Sequence, residues 1–373
     1  MTEKIRIAVF FGGRSGEHEV SLLSARSVLS VLDPRKYEVT QVGITPDGQW
    51  FAGEDVLDAW EKNKPTELLP VTLLPEPGEN WLYAIRQTPL GKTMERLVKI
   101  DVAFPVLHGT FGEDGTIQGL LELSDLAYVG AGVLASAVGM DKALFKDVMR
   151  TNGLPVLPSI TLTRKQVEGI MAFNIAAAEA LAPYPLFTKP VNLGSSVGIK
   201  KCHNREELNA GLQLAARYDR RILVERGLES PREIEVSVLG NDEPVASLPG
   251  EVIPADEFYS YHAKYEDENS QLLIPAPLPA ETIANLQKMA VDAFKAVDGS
   301  GMARVDFLVD RVSGEIYLSE INTIPGFTKI SMYPKLWEAS GLSYAALVDR
   351  LIGLALERKA DRDRTERHYG REE

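Results

Sequence analysis

The chain has 373 residues, 45% of them hydrophobic and 25% charged, which is the composition of a globular protein long enough for about two or three domains. The formal net charge of −13 argues against a protein that binds the backbone of a nucleic acid. Because Cys202 is the single cysteine, no disulfide can form within the chain, so we expect a reducing, cytoplasmic location without a signal peptide or a membrane span.

The N-terminal part of the chain predicts a parallel sheet. Residues 5–10 are a short apolar run rich in β-forming residues, which predicts a buried strand. After two glycines, residues 17–32 carry apolar side chains at helical spacing, and residues 37–44 predict the next strand. A strand, a glycine turn, a helix and a strand in this order form a βαβ unit, which is typical of a parallel sheet.

The following segment is less regular. Five prolines in residues 53–99 predict short strands and turns inserted into the first domain. Residues 101–107 return to a strand pattern, residues 116–123 predict a helix, and residues 127–129 predict a short strand. We therefore place the end of the first domain at residue 130.

Helices and strands alternate in the rest of the chain, which we divide into domains of residues 131–226 and 227–373. The helical patterns cover residues 141–152, 167–181, 206–217 and 280–297. The strand patterns cover residues 185–190, 222–225, 233–239, 303–310 and 315–321. Residues 358–373 are a run of mixed charges, which predicts a frayed or disordered end.

Two neighbouring predicted strands carry Asp306, Glu320 and Asn322. A hairpin would pair the strands, and the alternation of side chains places Glu320 and Asn322 on the same face. Two carboxylates and one amide oxygen are hard ligands that suit Mg²⁺. The alternative is a solvated polar face, but the flanking residues are strongly apolar, and buried acids need a partner.

A loop rich in glycine and serine follows the strand that ends near Lys189. Residues 189–198 can offer hydroxyl and backbone N–H donors to phosphate oxygens, whereas a glycine loop alone would favour an ordinary turn. With Lys189 and the distant acids, this segment predicts a mobile phosphate lid. It lacks the Walker sequence, and the glycines at positions 12 and 13 do not fit the dinucleotide fingerprint, which disfavours a nicotinamide dehydrogenase.

Several motifs, in their joint order, resemble the D-alanine–D-alanine ligases, an ATP-grasp family. The motifs occupy residues 17–21, 108–109, 112–115, 140–142, 189–198, 263–265, 303–306 and 320–332, and the resemblance extends from about Ile5 to about Gly353. It implies an α/β fold that is α+β in the C-terminal part, namely an ATP-grasp fold behind a Rossmann-like N-terminal domain with a parallel sheet. Residues 1–130 would bind substrate, residues 131–226 would carry the phosphate lid, and residues 227–373 would carry the metal site and the substrate loop.

The resemblance also implies an activity. The enzyme would join two D-alanines to D-alanyl-D-alanine through a D-alanyl phosphate intermediate, releasing ADP and phosphate, for peptidoglycan synthesis and cell shape. It would use ATP and two Mg²⁺ ions, with Mn²⁺ as a substitute. We expect a cytoplasmic homodimer that binds neither nucleic acid nor membrane.

The nucleotide would be held by residues at matching positions of the family. Lys142 and Lys189 would hold the ATP phosphates, and Asp306, Glu320 and Asn322 would bind the two Mg²⁺ ions. Glu225 would contact the adenine amino group, with the backbone from Arg226 to Leu228 nearby, and Glu233 would hold the ribose. Ser196 and Lys264 complete the expected nucleotide-binding residues.

The two substrates would be held by a second set. Glu17 would pair with the ammonium of the first D-alanine, near His108. Ser195 and Tyr265 would form a hydrogen-bond chain with Glu17, beneath a closing loop at residues 260–271. The oxyanion would be stabilised by Arg304 and by the backbone N–H of Gly326, and the second substrate's carboxylate by Ser331 and by the N–H of Met332.

The resemblance leaves the second substrate open. It could be D-lactate or D-serine, although Lys264-Tyr265 matches the dipeptide-forming type. The chain could also be a different ATP-grasp carboxylate–amine ligase, or a nucleotide-binding module without catalysis. The base that accepts the proton of the second amine is open between the Tyr265 chain and solvent.

Overall fold

The structure is a computed structural model that describes residues 3–53, 55–62, 68–253 and 271–366. It contains three sheets with helices packed against them. Two of the sheets are antiparallel, and the first is mixed. Within the described residues, no single helix has the length and apolarity to cross a membrane, whereas the bent pair Met332–Ala339 and Tyr344–Arg362, with 104° between them, qualifies by length and composition alone.

The first sheet has eight strands in the order β6-β5-β4-β3-β2-β1-β7-β8. The strands are β1 (Ile5–Gly12), β2 (Tyr37–Ile44), β3 (Trp50–Gly53), β4 (Leu69–Leu73), β5 (Trp81–Thr88), β6 (Gly91–Lys99), β7 (Val102–Val106) and β8 (Ala127–Tyr128). The helices that accompany them are α1 (His18–Leu29), α2 (Val56–Glu61) and α3 (Thr116–Leu123). Because β1 pairs in parallel with both β2 and β7, the predicted βαβ unit is confirmed. Strands β5 and β6 are longer than the short strands predicted for residues 53–99.

The second sheet has four strands in the order β11-β10-β12-β9. They are β9 (Ser159–Thr163), β10 (Leu186–Pro190), β11 (Lys200–Cys202) and β12 (Arg221–Arg226). The helices of this region are α4 (Val133–Met140), α5 (Lys142–Thr151), α6 (Arg164–Glu168), α7 (Met171–Leu181) and α8 (Arg205–Tyr218). The single helix predicted over residues 167–181 is wrong. A capping box between Thr163 and Gln166 starts α6 early, and Gly169 then ends it before α7 begins.

The third sheet has the order β16-β15-β13-β17-β18, with β14 paired to β13. Its strands are β13 (Arg232–Gly240), β14 (Val245–Ala246), β15 (Gly250–Ile253), β16 (Gln271–Leu273), β17 (Gly301–Val309) and β18 (Ile316–Asn322). The last helices are α9 (Ala280–Ala296), α10 (Met332–Ala339) and α11 (Tyr344–Arg362). Strands β17 and β18 are an antiparallel pair, as the sequence predicts.

Helix α11 returns to the first sheet. Its buried side chains, including Leu347 and Leu351, share a core with Val9 of β1 and Phe104 of β7. The prediction of a frayed end from residue 358 is wrong for residues 358–362, because α11 continues to Arg362 and its charged side chains have partners. Residues 367–373 lie outside the described residues.

Arg358 holds the end of α11 against the first sheet. Its guanidinium carbon lies 4.0 Å from the centre of the Tyr128 ring. Its Nη1 donates to the Gly130 carbonyl at 2.6 Å and to Ser300 Oγ at 2.6 Å. A charged group with this many partners is an ordered part of the fold.

Candidate active site

Two clefts meet between the three sheets, and Lys142 and Glu320 line both of them. The first cleft lies where the loops after β1, β7, β10 and β18 come together. The predicted substrate residues that line this cleft are Glu17, His108, Ser195, Arg304 and Gly326, and Asn322 lines it too. The second cleft lies between the second and third sheets. The predicted nucleotide and metal residues that line it are Lys142, Lys189, Ser196, Glu225, Arg226, Leu228, Glu233, Asp306 and Glu320.

The glycine–serine loop covers the first cleft at Glu17, which lies immediately before α1. Ser195 Oγ donates a hydrogen bond to Glu17 Oε1. The backbone at Ser195 is left-handed, with a φ of 51°, and a Cβ atom on Gly194 would lie 3.0 Å from Glu17 Oε2. The structure therefore brings Glu17 and Ser195 together. The third predicted member of this chain, Tyr265, and its neighbour Lys264 lie outside the described residues.

His108 is buried, and both of its ring nitrogens have protein partners. Nδ1 lies 2.9 Å from the Ile324 carbonyl oxygen, and Nε2 lies 2.9 Å from Ser24 Oγ. Since a carbonyl only accepts, Nδ1 carries the proton and Nε2 can accept from the serine hydroxyl. Burial lowers the pKa of His108, which favours this neutral form. His108 thus links α1 to the loop after β18, and its contact with substrate stays a prediction.

Glu113 belongs to a motif of the predicted family, but no role was predicted for it. Its Oε1 accepts from the Gly109 amide at 2.9 Å, and its Oε2 accepts from the Ile324 amide at 3.2 Å. Desolvation and the neighbouring carboxylate of Glu17 raise the pKa of Glu113 to about 8. Glu113 therefore ties the loop after β7 to the loop after β18. No local pattern could reveal this, because the two loops are 211 positions apart.

Arg304 lies between two carboxylates on the third sheet. Its Nε and Nη2 donate to the two oxygens of Asp306 at 2.7 and 2.6 Å, and Nε lies 3.0 Å from Glu235 Oε2. Burial opposes the charge of Arg304, but the two carboxylates outweigh this effect and raise its pKa well above the usual value. The sequence analysis missed Glu235, although it lies two positions after Glu233 and so on the same face of β13.

The three predicted metal ligands lie close together. Asp306 and Glu320 are directly opposite each other on β17 and β18, and Asn322 Nδ2 donates to Asp306 Oδ2 at 3.0 Å. Within the described ranges, no group of three or more His, Cys, Asp or Glu side chains could hold a metal ion. The set has two carboxylates and one amide, which fits an ion that completes its shell with phosphate oxygens and water, as Mg²⁺ does.

Lysines surround the predicted nucleotide residues. Lys142 Nζ donates to the Leu193 carbonyl at 2.9 Å and lies 3.4 Å from Glu320 Oε2. Lys189 Nζ lies 2.7 Å from Glu225 Oε2. Burial opposes the charge of Lys189, but Glu225 outweighs it and raises the pKa of the lysine. At the end of β12, the Arg226 amide donates to the Pro158 carbonyl at 2.9 Å, so this amide already has a partner within the protein.

The predicted substrate loop precedes α10. Ser331 is the residue before the first turn of this helix, but its hydroxyl lies 2.7 Å from Thr328 Oγ1 and does not cap the helix. A Cβ atom on Gly326 would lie 3.1 Å from Ser331 Oγ, so these two predicted residues are neighbours. Met332 is the first residue of the helix, and its amide belongs to a terminus that attracts anions.

Two family models match the chain. Residues 6–131 match a model described as the D-ala D-ala ligase N-terminus, and residues 148–353 match a model described as the D-ala D-ala ligase C-terminus. Among curated relatives, the D-alanine–D-alanine ligase of Heliobacterium modesticaldum is 52% identical over 366 residues, which are 98% of this chain and 98% of that protein. The ligase of Thermoanaerobacter pseudethanolicus is 52% identical over 367 residues, covering 95% of this chain and 97% of that protein.

Solved structures are similar over almost the whole length. The D-alanine–D-alanine ligase of Coxiella burnetii has a TM-score of 0.82 and 38% identity, and the match covers 97% of each chain. VanG, a D-Ala:D-Ser ligase of Enterococcus faecalis, has a TM-score of 0.81 and 37% identity, and the match covers 95% of this chain and 100% of that one.

Proposed function

Because this chain belongs to the D-alanine–D-alanine ligase family and has its ATP-grasp fold, we propose that it joins two D-alanines to D-alanyl-D-alanine for peptidoglycan synthesis, in an ATP-dependent, ADP-forming reaction. One observation carries the assignment of the site. Glu17, under the Ser195 loop, lies in a cleft that shares Lys142 and Glu320 with the cleft of the predicted nucleotide residues. A carboxylate bound in the first cleft would therefore lie beside the phosphates of a nucleotide in the second.

In the first step, an oxygen of the D-alanine carboxylate attacks the γ-phosphorus of ATP, and the bond to the β-phosphate oxygen breaks. The products are D-alanyl phosphate and ADP. The transferred group concentrates negative charge, which Lys142 and Lys189 would offset. Asp306, Glu320 and Asn322 would hold Mg²⁺, or Mn²⁺ in its place, and the metal would neutralise phosphate oxygens.

In the second step, the amine of the second D-alanine attacks the acyl carbon, and phosphate leaves as the amide forms. Charge develops on the carbonyl oxygen, where the Arg304 guanidinium and the Gly326 N–H would donate hydrogen bonds. Arg304 is already held by Asp306 and Glu235, which fixes the plane of its remaining donors. The amine must also lose a proton, and the Tyr265 chain and solvent are both candidate acceptors.

The two substrates carry opposite charges at the ends that the enzyme must hold. The Glu17 carboxylate suits the ammonium of the first D-alanine. The Ser331 hydroxyl and the Met332 N–H suit the carboxylate of the second, since the start of α10 favours a negative charge. D-Alanyl phosphate hydrolyses readily, so a covering loop over Glu17 would protect it from water.

The test is ADP release and product mass with the purified protein and Mg-ATP. The arms are D-alanine alone, L-alanine alone, and D-alanine with either D-serine or D-lactate. We expect D-alanine-dependent ADP release and D-alanyl-D-alanine as the main product. A D-alanyl-D-serine product in preference to D-alanyl-D-alanine would match VanG, the D-Ala:D-Ser ligase. ATP binding without ADP release in any arm would contradict a ligase.

We also infer a homodimer in the cytoplasm, as expected for the family. Light scattering of the purified protein tests the dimer, and fractionation of cells tests the location. A monomer at micromolar concentration would contradict the first expectation.

A further inference from the structure

The nucleotide cleft has a lysine behind its wall that the proposed reaction does not use. Lys146 lies on α5, one turn after Lys142, and only 2% of its side chain is exposed. Its Nζ forms an ion pair with Glu225 Oε1. Because an isolated ammonium is rarely buried, the pair with Glu225 explains how the fold tolerates this charge.

Glu225 is held by two lysines that face it from different elements. Lys146 on α5 contacts Oε1, and Lys189 on β10 contacts Oε2 at 2.7 Å. Glu225 and Lys189 line the cleft, whereas Lys146 lies behind them. Burial raises the pKa of Glu225, but the two ammonium groups outweigh this effect and hold its pKa below the usual value.

The side chains of the two lysines differ in how far they can move. Lys189 is 15% exposed and borders the cleft, so it can turn towards the phosphates of a bound nucleotide. When Lys189 turns away, Glu225, whose side chain is only 2% exposed, loses one of its two positively charged partners. A buried carboxylate without a partner is costly, so one cation must stay in place. Burial lowers the pKa of Lys146 and the Glu225 carboxylate opposes this effect, so the charge of Lys146 depends on the pair. Lys146 is enclosed by protein and is the partner that stays.

We propose that Lys146 is a positioning residue for base selection, which holds Oε1 of Glu225 and leaves Oε2 free to accept a hydrogen bond from the 6-amino group of adenine. This inference rests on the proposed contact between Glu225 and adenine. A 6-oxo purine presents an acceptor to the same carboxylate oxygen, so it is rejected. Without Lys146, Lys189 stays on Oε2 of Glu225, or the carboxyl group gains a proton that it can donate to a 6-oxo group, and in both cases the preference for the 6-amino group falls.

The experiment compares the affinities of ADP and inosine diphosphate by calorimetry, with Mg²⁺ present. The intact protein should favour ADP about tenfold or more. Lys146→Met should reduce this preference about tenfold, and Lys146→Met with Glu225→Gln should show the same preference as Glu225→Gln alone. Arg150→Met is the matched control, because Arg150 is on the same helix but exposed, and it should keep the preference.

A purely structural role would weaken both nucleotides equally, so an unchanged ratio in Lys146→Met overturns the inference. If Glu225→Gln also keeps the ratio of ADP to inosine diphosphate affinities, both the proposed adenine contact and the role of Lys146 fail. If only Lys146→Met keeps the ratio, the adenine contact stands and Lys146 alone loses its role. Should Lys146→Met not fold, Lys146→Gln keeps a donor without the charge and decides the same comparison.

Discussion

The hydroxyl of Ser195 donates to the carboxylate of Glu17 although the two residues are 178 positions apart. This hydrogen bond is the contact between the glycine–serine loop and the start of α1. It joins the loop between β1 and α1 to the loop that follows β10. Among the described residues, this hydrogen bond therefore links two separate parts of the chain across the substrate cleft.

Ser195→Ala removes this hydrogen bond and should loosen the cover over the first cleft. We expect kcat/KM for D-alanine to fall about 10- to 100-fold, and the Kd of ADP to change little, because the loop would no longer exclude water from the acyl phosphate. Measuring ADP and dipeptide in the same reaction should also reveal more ADP than dipeptide. Equal amounts of the two products at a normal rate would count against a covering role.

Arg304→Ala should leave nucleotide binding largely intact and reduce turnover about 100- to 1,000-fold. The reason is that the variant removes a donor to the developing oxyanion. The variant also leaves Asp306 and Glu235 without their shared cation, so Arg304→Lys, which keeps the charge, is the matched control. Turnover near normal in Arg304→Ala would exclude the oxyanion role.

Glu320→Gln should raise the Mg²⁺ concentration needed for half-maximal turnover by at least about tenfold. One of two carboxylates in the predicted metal set would then be neutral. The measurement is a Mg²⁺ titration at saturating ATP. Glu315→Gln is the control, because this glutamate lies at the exposed start of the same strand region and should leave the titration unchanged.

The stability of the protein should fall with rising pH because of Glu113. Its pKa is raised from 4.5 to about 8 in the folded state, so the native protein binds more protons than the unfolded chain between these values. The contribution is complete below pH 4.5 and is lost as pH rises through 8, with a slope of at most about 1.4 kcal/mol per pH unit.

The variant Glu113→Gln has no titrating group at this position, so the difference between the intact protein and the variant reports the titration of Glu113 alone. Urea denaturation of both proteins at pH 5, 6, 7 and 8 should show that the intact protein loses free energy of unfolding relative to the variant as pH rises. A constant difference between the two proteins over this range would show that Glu113 does not titrate there.

Arg358→Met should lower the free energy of unfolding by about 2–3 kcal/mol. The variant removes hydrogen bonds to Gly130 and Ser300 and the contact with the Tyr128 ring. Arg364→Met is the matched control, since Arg364 is exposed and pairs only with its neighbour Asp361 within the described contacts. Both variants are compared by urea denaturation, and equal stability would contradict an anchoring role for Arg358.

Local sequence patterns predict the regular elements well where one face is buried. The strand over residues 37–44 and the helix over residues 116–123 have the predicted bounds. Helix α2 was not predicted because its six residues offer less than two turns for a helical period. Helix α4 was not predicted because its residues, VLASAVGM, are apolar or small on every face and show no alternation of polar and apolar positions. The end of the chain was misjudged because the last turns of α11 are held by the charged side chains of Arg358 and Arg362, whose partners lie far away in the sequence.

The same distinction between local patterns and distant contacts applies to the residues of the candidate site. The metal residues could be predicted from two adjacent strands, because pairing and alternation fix which side chains meet. The partners Glu113, Lys146 and Glu235 could not, since each acts on a residue from a distant part of the chain. Lys146 gave only a weak signal, a lysine at the same helical position as Lys142 one turn later.

The position of α11 at the end of the chain affects how the first sheet folds during synthesis. One face of the first sheet packs against α1 and against residues 347–355, and the latter are synthesised last of all the described core. At a synthesis rate of about 5–20 residues per second, roughly 20–70 s pass between the synthesis of Ile5, where the sheet starts, and that of the residues of α11 that cover part of its apolar face. Until then the part of this face that α11 covers is exposed, and unfinished chains are expected to be prone to aggregation.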